Sequence, residues 1–100
     1  MKLVLLMYLE EDEACVEQLL ADQEIASFSR LPMEGHSPGT RGWYGEVAPY
    51  QAGLVVVVLA EEAASRLLTA VEGCRTLEDS RHPIRAVQVD VERVTECLCN

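Results

Sequence analysis

An α+β fold, with one antiparallel four-stranded sheet and two helices on a single face of it, is what this chain of 100 residues predicts. Three observations carry that expectation. The runs Lys2–Leu9 and Leu54–Leu59 are almost wholly apolar without a helical period. The stretches around Cys15–Leu20 and Ala63–Val71 place apolar residues on one helical stripe each, and Ile84–Val94 alternates apolar with polar residues. Together with a weaker strand at Ile25–Leu31 these give the order β-α-β-β-α-β, the ferredoxin-like pattern.

The elements follow in order. Lys2–Leu9 reads as a strand buried on both faces. Glu10, Glu11 and Asp12 come next, suited to a helix N-terminus as caps and by their charge against the dipole. Cys15, Val16, Leu19 and Leu20 then recur on one helical face, and that helix is expected to end near Asp22–Glu24. In Ile25–Leu31, Ser27 and Ser29 oppose the apolar positions. A glycine-rich loop runs from Pro32 to Gly53, and Gly53 introduces a strand whose consecutive valines, Val55 to Val58, are β-branched and favour extended structure. Ala63, Ala64, Leu67, Leu68 and Val71 form the second helical stripe, fading at Gly73 as a C-cap or late helix position. In the last strand Val87, Val89 and Val91 alternate with Gln88, Asp90 and Glu92, the pattern of a half-buried strand. One domain over 1–94 and a short cysteine-containing tail over 95–100 account for the chain.

In a ferredoxin-like sheet the strands lie in the order 4-1-3-2. The two unbroken apolar runs are then the central pair and the mixed ones are the edges. Helices cover one face of such a sheet, yet the central strands are apolar on both. A second copy of the chain is the expected cover, so a homo-oligomer is predicted. The same topology brings three connections to one end of the sheet: Glu10–Asp12, the Pro32–Gly53 loop, and Arg81-His82-Pro83.

Composition narrows the function. A formal net charge of −9 argues against nucleic acid, which needs a basic stripe. The apolar runs are too short to cross a bilayer, and the first one passes straight into Glu10–Asp12 without a signal-peptide cleavage pattern, so a cytoplasmic protein with no membrane insertion is expected. Four of the eight basic residues, Arg75, Arg81, Arg85 and Arg93, fall in the C-terminal quarter, which leaves room for a local anion site. Cys15, Cys74, Cys97 and Cys99 lack the spacing of a disulfide scaffold; the first two fall in helical patterns, where a thiol acts as a small hydrophobe. There is no G-x-S-x-G, no H-E-x-x-H and no recognisable Cys-His pairing, so the chain reads as a non-enzyme.

The β-α-β-β-α-β order, the opening MKLVLLMY, and the run Gly35, Gly39, Thr40, Trp43 and Gly45 within GHSPGTRGWYG resemble small PII-like proteins, of the superfamily of the nitrogen-regulatory PII proteins and CutA. The resemblance spans about residues 2–94. It implies a compact homotrimer with the sheets turned inward and a ligand site between subunits. There Gly35, His36 and Ser37 would face Arg81, His82 and Arg85 of a neighbour. It further implies a signal-transduction or sensor role, in which a small-molecule ligand regulates a partner such as a transporter or metabolic enzyme. Adenine-nucleotide-binding PII proteins have a longer loop here and a glycine- and lysine-bearing segment before the fourth strand. Glu78–Ala86 (EDSRHPIRA) has neither residue. The His82-Pro83 pair is similar to CutA, which is associated with copper and other divalent metals.

Each candidate residue carries two readings. Gly35, Gly39, Gly42 and Gly45 permit tight turns or allow backbone to approach an anion, with Arg41 adding charge. Trp43 and Tyr44 pack against a neighbouring subunit or form a platform for a planar ligand. Arg81 and Arg85 are solvated charges or anion ligands, and His82 meets the negative end of the second helix or joins them. Cys97 and Cys99 are free thiols of a tail, or a soft-metal pair for copper or zinc completed by His36, His82 or Glu96. The expected function is a small anion or nucleotide sensor; the alternative is a metal-binding protein.

Overall fold

The computed structural model describes residues 1–36, 49–74 and 83–99. Its elements are β1 (Lys2–Leu9), a 3-10 turn (Glu10–Asp12), α1 (Glu13–Asp22), β2 (Ser29–Gly35), β3 (Tyr50–Leu59), α2 (Glu61–Gly73) and β4 (Arg85–Asp90). The sheet is antiparallel throughout, in the order β2-β3-β1-β4, with both helices on one face. This is the ferredoxin-like arrangement that the sequence predicts.

Register decides which side chains share a face, because alternate residues of a strand point to opposite sides. Val4, Leu6 and Tyr8 of β1 and Val55 and Val57 of β3 face the helices and are buried. They meet Val16 and Leu20 of α1 and Ala64 and Leu67 of α2 in one core. Full burial of each large apolar side chain contributes roughly 1.5–3 kcal/mol.

Among the described residues, no helix lies on the opposite face. There Leu3, Leu5 and Met7 of β1 stand beside Val58, Val56 and Leu54 of β3. The edge strands turn their larger apolar residues to the same side. Leu31 and Met33 of β2 pair with Leu54 and Ala52, and Val87 and Val89 of β4 pair with Leu5 and Leu3. Toward the helices β2 instead presents Arg30, Pro32 and Glu34, and β4 presents Ala86, Gln88 and Asp90. The alternation expected in the last strand is present, but its valines lie on the uncovered face, so Val87 and Val89 are 38% and 46% exposed rather than half-buried in a core. Leu31 at 50% and Val58 at 42% extend the same surface.

The boundaries of β2, β3 and β4 differ from the sequence reading, each for a local reason. α1 ends in a Schellman motif: the Glu24 amide donates to the Ala21 carbonyl at 3.0 Å and the Ile25 amide to the Leu20 carbonyl at 2.9 Å. Glu24 takes the left-handed conformation that this requires, φ 58°. Ile25 is thereby folded back onto the core with Leu20, and β2 starts at Ser29 rather than at Ile25. β2 also runs on to Gly35 and β3 begins at Tyr50, because Gly35 pairs with Tyr50 and Met33 with Ala52. β4 stops at Asp90 rather than Val94, since Asp90 pairs with Lys2, the first residue of β1. Beyond it the Val91 amide donates a hydrogen bond to the Met1 carbonyl at 3.2 Å, and residues 92–99 are irregular and exposed.

The acidic helix starts act by charge and not by capping. Asp12, at the N-cap of α1, has φ −97° and ψ 8° and makes no side-chain cap hydrogen bond; the preceding 3-10 turn holds it away from the extended geometry a cap uses. α2 begins after Ala60, with Glu61 and Glu62 in its first turn. Ion pairs on the helix side tie the edge strands to their neighbours. Lys2 bonds Asp90 across β1 and β4, and this hydrogen bond holds the Asp90 carboxyl below and the Lys2 ammonium above their usual ranges. Arg30 of β2 bridges Glu13, at 3.3 Å, and Glu17, anchoring β2 to α1.

Glu24→Gly should raise stability by about 0.5–1 kcal/mol in urea denaturation, since glycine enters the left-handed region without the Cβ penalty. Glu24→Ala should give no such gain. A lower midpoint for Glu24→Gly would contradict this account of the helix end.

Candidate functional site

The end of the sheet where β1 passes into α1 carries the described part of the candidate site. Leu9, Glu10, Glu11, Tyr50 and Gln51 line an open cleft of about 340 Å³ there. Beside it a recess of about 110 Å³ is bounded by Glu10, Glu13, Arg30, Pro32 and Gly53.

Two tyrosines shape this end, each lying over the glycine it pairs with across the ladder. Tyr50 pairs with Gly35 on the uncovered face. A Cβ added at Gly35 would come within 1.9 Å of the Tyr50 ring, which is buried with Leu9 and Ala52. Tyr8 pairs with Gly53 on the helix face, and a Cβ at Gly53 would stand 2.5 Å from its ring. Neither glycine has positive φ. Their lack of a side chain is used for close approach of an aromatic ring, rather than for turn geometry. The Tyr8 hydroxyl is fully buried and has no hydrogen-bond partner among the described residues. Burial, and then the nearby Glu13 carboxylate, pushes its ionisation up, so it stays neutral.

Of the predicted ligand residues, the structure describes Gly35, His36 and Arg85. Ser37, Gly39, Thr40, Arg41, Trp43, Arg81 and His82 lie outside the described residues. His36 is exposed just beyond β2, its Nε2 at 2.7 Å from Oε2 of Glu34. Arg85 opens β4 on the uncovered face, paired with Met7. β2 and β4 are opposite edges of the sheet with β3 and β1 between them, about 14 Å apart across the strands. Within one chain, therefore, the sheet separates Gly35 and His36 from Arg85.

The tail pair Cys97 and Cys99 is exposed, with sulfurs 3.6 Å apart. Among the described residues, no group of three or more His, Cys, Asp or Glu side chains is placed to hold a metal ion. Sequence reasoning brought Glu10–Asp12 and the Pro32–Gly53 loop to this end but did not name Tyr50, Glu10 and Glu11 as cleft walls. Tyr50 opens the β3 run and Glu10 follows β1 directly, so topology alone places them at this end. Sequence reasoning also treated Cys15 and Cys74 as isolated hydrophobes, whereas their sulfurs are in contact at 3.8 Å.

Fold and site together define a ferredoxin-like α+β protein, an architecture shared with the PII superfamily, with clefts at one end of an uncovered apolar sheet. No protein-family model matches the chain, and no curated protein is similar enough in sequence to count as a relative. No helix among the described residues is long and apolar enough to cross a membrane.

Gly53→Ala should cost about 1–3 kcal/mol in urea denaturation, because an added Cβ would stand 2.5 Å from the fully buried Tyr8 ring and force it to shift. In a Tyr8→Leu background the same change should cost markedly less. Equal costs in both backgrounds would show that Tyr8 does not set the requirement for glycine.

Proposed function

We propose that this protein is a PII-like sensor, not an enzyme, that assembles as a homotrimer and binds a small anionic ligand in clefts between its subunits. One observation carries the reading. Each of the four strands places apolar residues on the sheet face the helices leave bare, while Gly35 and His36 stand at one edge of that sheet and Arg85 at the other. Copies joined through this face bring one chain's β2 edge toward another's β4 edge. The two halves of the site then meet between chains. Glu10 and Glu11 make the described wall of the cleft negative, so the cations that hold an anion come from Arg41, Arg81, His82 and Arg85. A nucleotide is one candidate among small anions. Ligand state sets the conformation of the loop between β2 and β3, and a regulated partner, such as a transporter or metabolic enzyme, reads it.

The 3.6 Å contact of the Cys97 and Cys99 sulfurs supports a second reading, a CutA-like metal-binding protein in which His36 and His82 add nitrogen ligands to the thiolates for copper or zinc.

Calorimetry separates the two. Titration with ATP, ADP, cyclic AMP and bicarbonate should give saturable heat with at least one of them, lost in Arg85→Ala. Silence with every anion, together with copper or zinc binding abolished by Cys97→Ser/Cys99→Ser, would replace the first reading by the second.

A further inference from the structure

Cys15 lies in the first turn of α1, and Cys74 is the C-cap of α2. The two helices run in opposite directions over the same sheet face, so the start of one meets the end of the other. Their sulfurs come to 3.8 Å across a sequence separation of 59 residues. Both residues are half-buried thiols, reachable by a small reagent yet held out of bulk water.

We propose that Cys15 and Cys74 form a reversible redox site that closes to an intramolecular disulfide with a small disulfide oxidant of the glutathione type. The sulfurs must approach by roughly 1.8 Å to reach the bonded distance. Cys74 can supply most of that movement. It lies outside the helical ladder at φ −79° and ψ 88°, where its amide donates a hydrogen bond to the Val71 carbonyl at 3.1 Å. Gly73 before it has, among the described residues, nothing within 4 Å of the position a Cβ would occupy. Cys15, by contrast, is fixed within α1, where burial and then the contact with Cys74 push its thiol ionisation up. This geometry casts Cys74 as the attacking sulfur and Cys15 as the resolving one.

The exchange balances in two steps. The Cys74 thiolate attacks one sulfur of glutathione disulfide; the S–S bond breaks and one glutathione thiolate leaves. The Cys15 thiolate then attacks the Cys74 sulfur of the mixed disulfide and expels the second glutathione thiolate. Two electrons pass from the cysteine pair to the oxidant. The two cysteine protons end on the two released glutathione thiols. The product ties α1 to the end of α2, beside the turn at Glu10–Asp12. The site is independent of the ligand proposed above, because it uses none of the same residues.

The test uses the full chain carrying Cys97→Ser/Cys99→Ser, equilibrated with reduced and oxidised glutathione and read by intact mass, peptide mapping and melting temperature. The expected product has lost two hydrogens, yields a Cys15–Cys74 peptide, melts about 10 °C higher than the dithiol form, and reverts with dithiothreitol. Cys74→Ser in the same background should stop at a stable glutathione adduct or remain a thiol, with no rise in melting temperature. Only glutathionylated or intermolecular products from the chain that retains both Cys15 and Cys74 would overturn the proposal, as would two unreacted thiols under fully oxidising conditions.

Discussion

The constraint on which the rest of this structure depends is that β1 and β3 are apolar on both faces while the helices cover only one. Val4, Leu6 and Tyr8 are satisfied by α1 and α2, but Leu3, Leu5 and Met7, one residue out of phase with them, are not. The edge strands strengthen the point. A strand serving only a helix-covered core would turn its apolar side inward, yet β2 and β4 send Leu31, Met33, Val87 and Val89 to the bare side. Toward the helices they send charge: Arg30 into Glu13 and Glu17, and Asp90 into Lys2. The bare face is therefore specified by all four strands. Monomeric proteins rarely leave so continuous an apolar surface in water.

The same constraint governs what the candidate site can be. A four-stranded sheet keeps its two edges apart, so residues at the end of β2 and the start of β4 belong to one site only when different chains supply them. Within a single chain the end of the sheet offers something different. Tyr50 lies over Gly35 on the bare face, Tyr8 lies over Gly53 on the helix face, and Glu10 and Glu11 rim the cleft between strand and helix. The tyrosine–glycine pairs set the shape of this end, because each ring occupies the space that any larger residue at its partner would need.

Much of the fold was legible in the residues themselves. Lys2–Leu9 forms a strand over the full length its hydrophobicity marks, since nothing in it competes with extended structure. The helices follow their stripes, and Gly73 closes α2 as its last residue. The start of β2 was hidden because the turn that closes α1 uses a left-handed Glu24, a residue type that does not advertise that conformation as glycine or asparagine would. Gly35 was hidden for the opposite reason. Glycine among prolines and serines suggests a turn, and only the cross-strand partner, Tyr50, shows that it is a strand position kept small for a ring. The acidic helix starts matched the dipole, but side-chain capping depends on backbone angles that composition does not reveal. The contact between Cys15 and Cys74 followed from topology once the helices were placed antiparallel. Periodicity alone cannot tell a packed thiol from a paired one.

The central claim, that the bare sheet face is closed by further copies of the chain, is tested most directly by light scattering coupled to size-exclusion chromatography at micromolar concentration. The account predicts a mass three times that of the 11.1 kDa chain. It also predicts that Val87→Glu, which places a charge on the bare face at an already exposed position, yields the single-chain mass with secondary structure retained by circular dichroism. A wild-type chain that elutes at the single-chain mass throughout this range would contradict the account, and the site between subunits would fall with it.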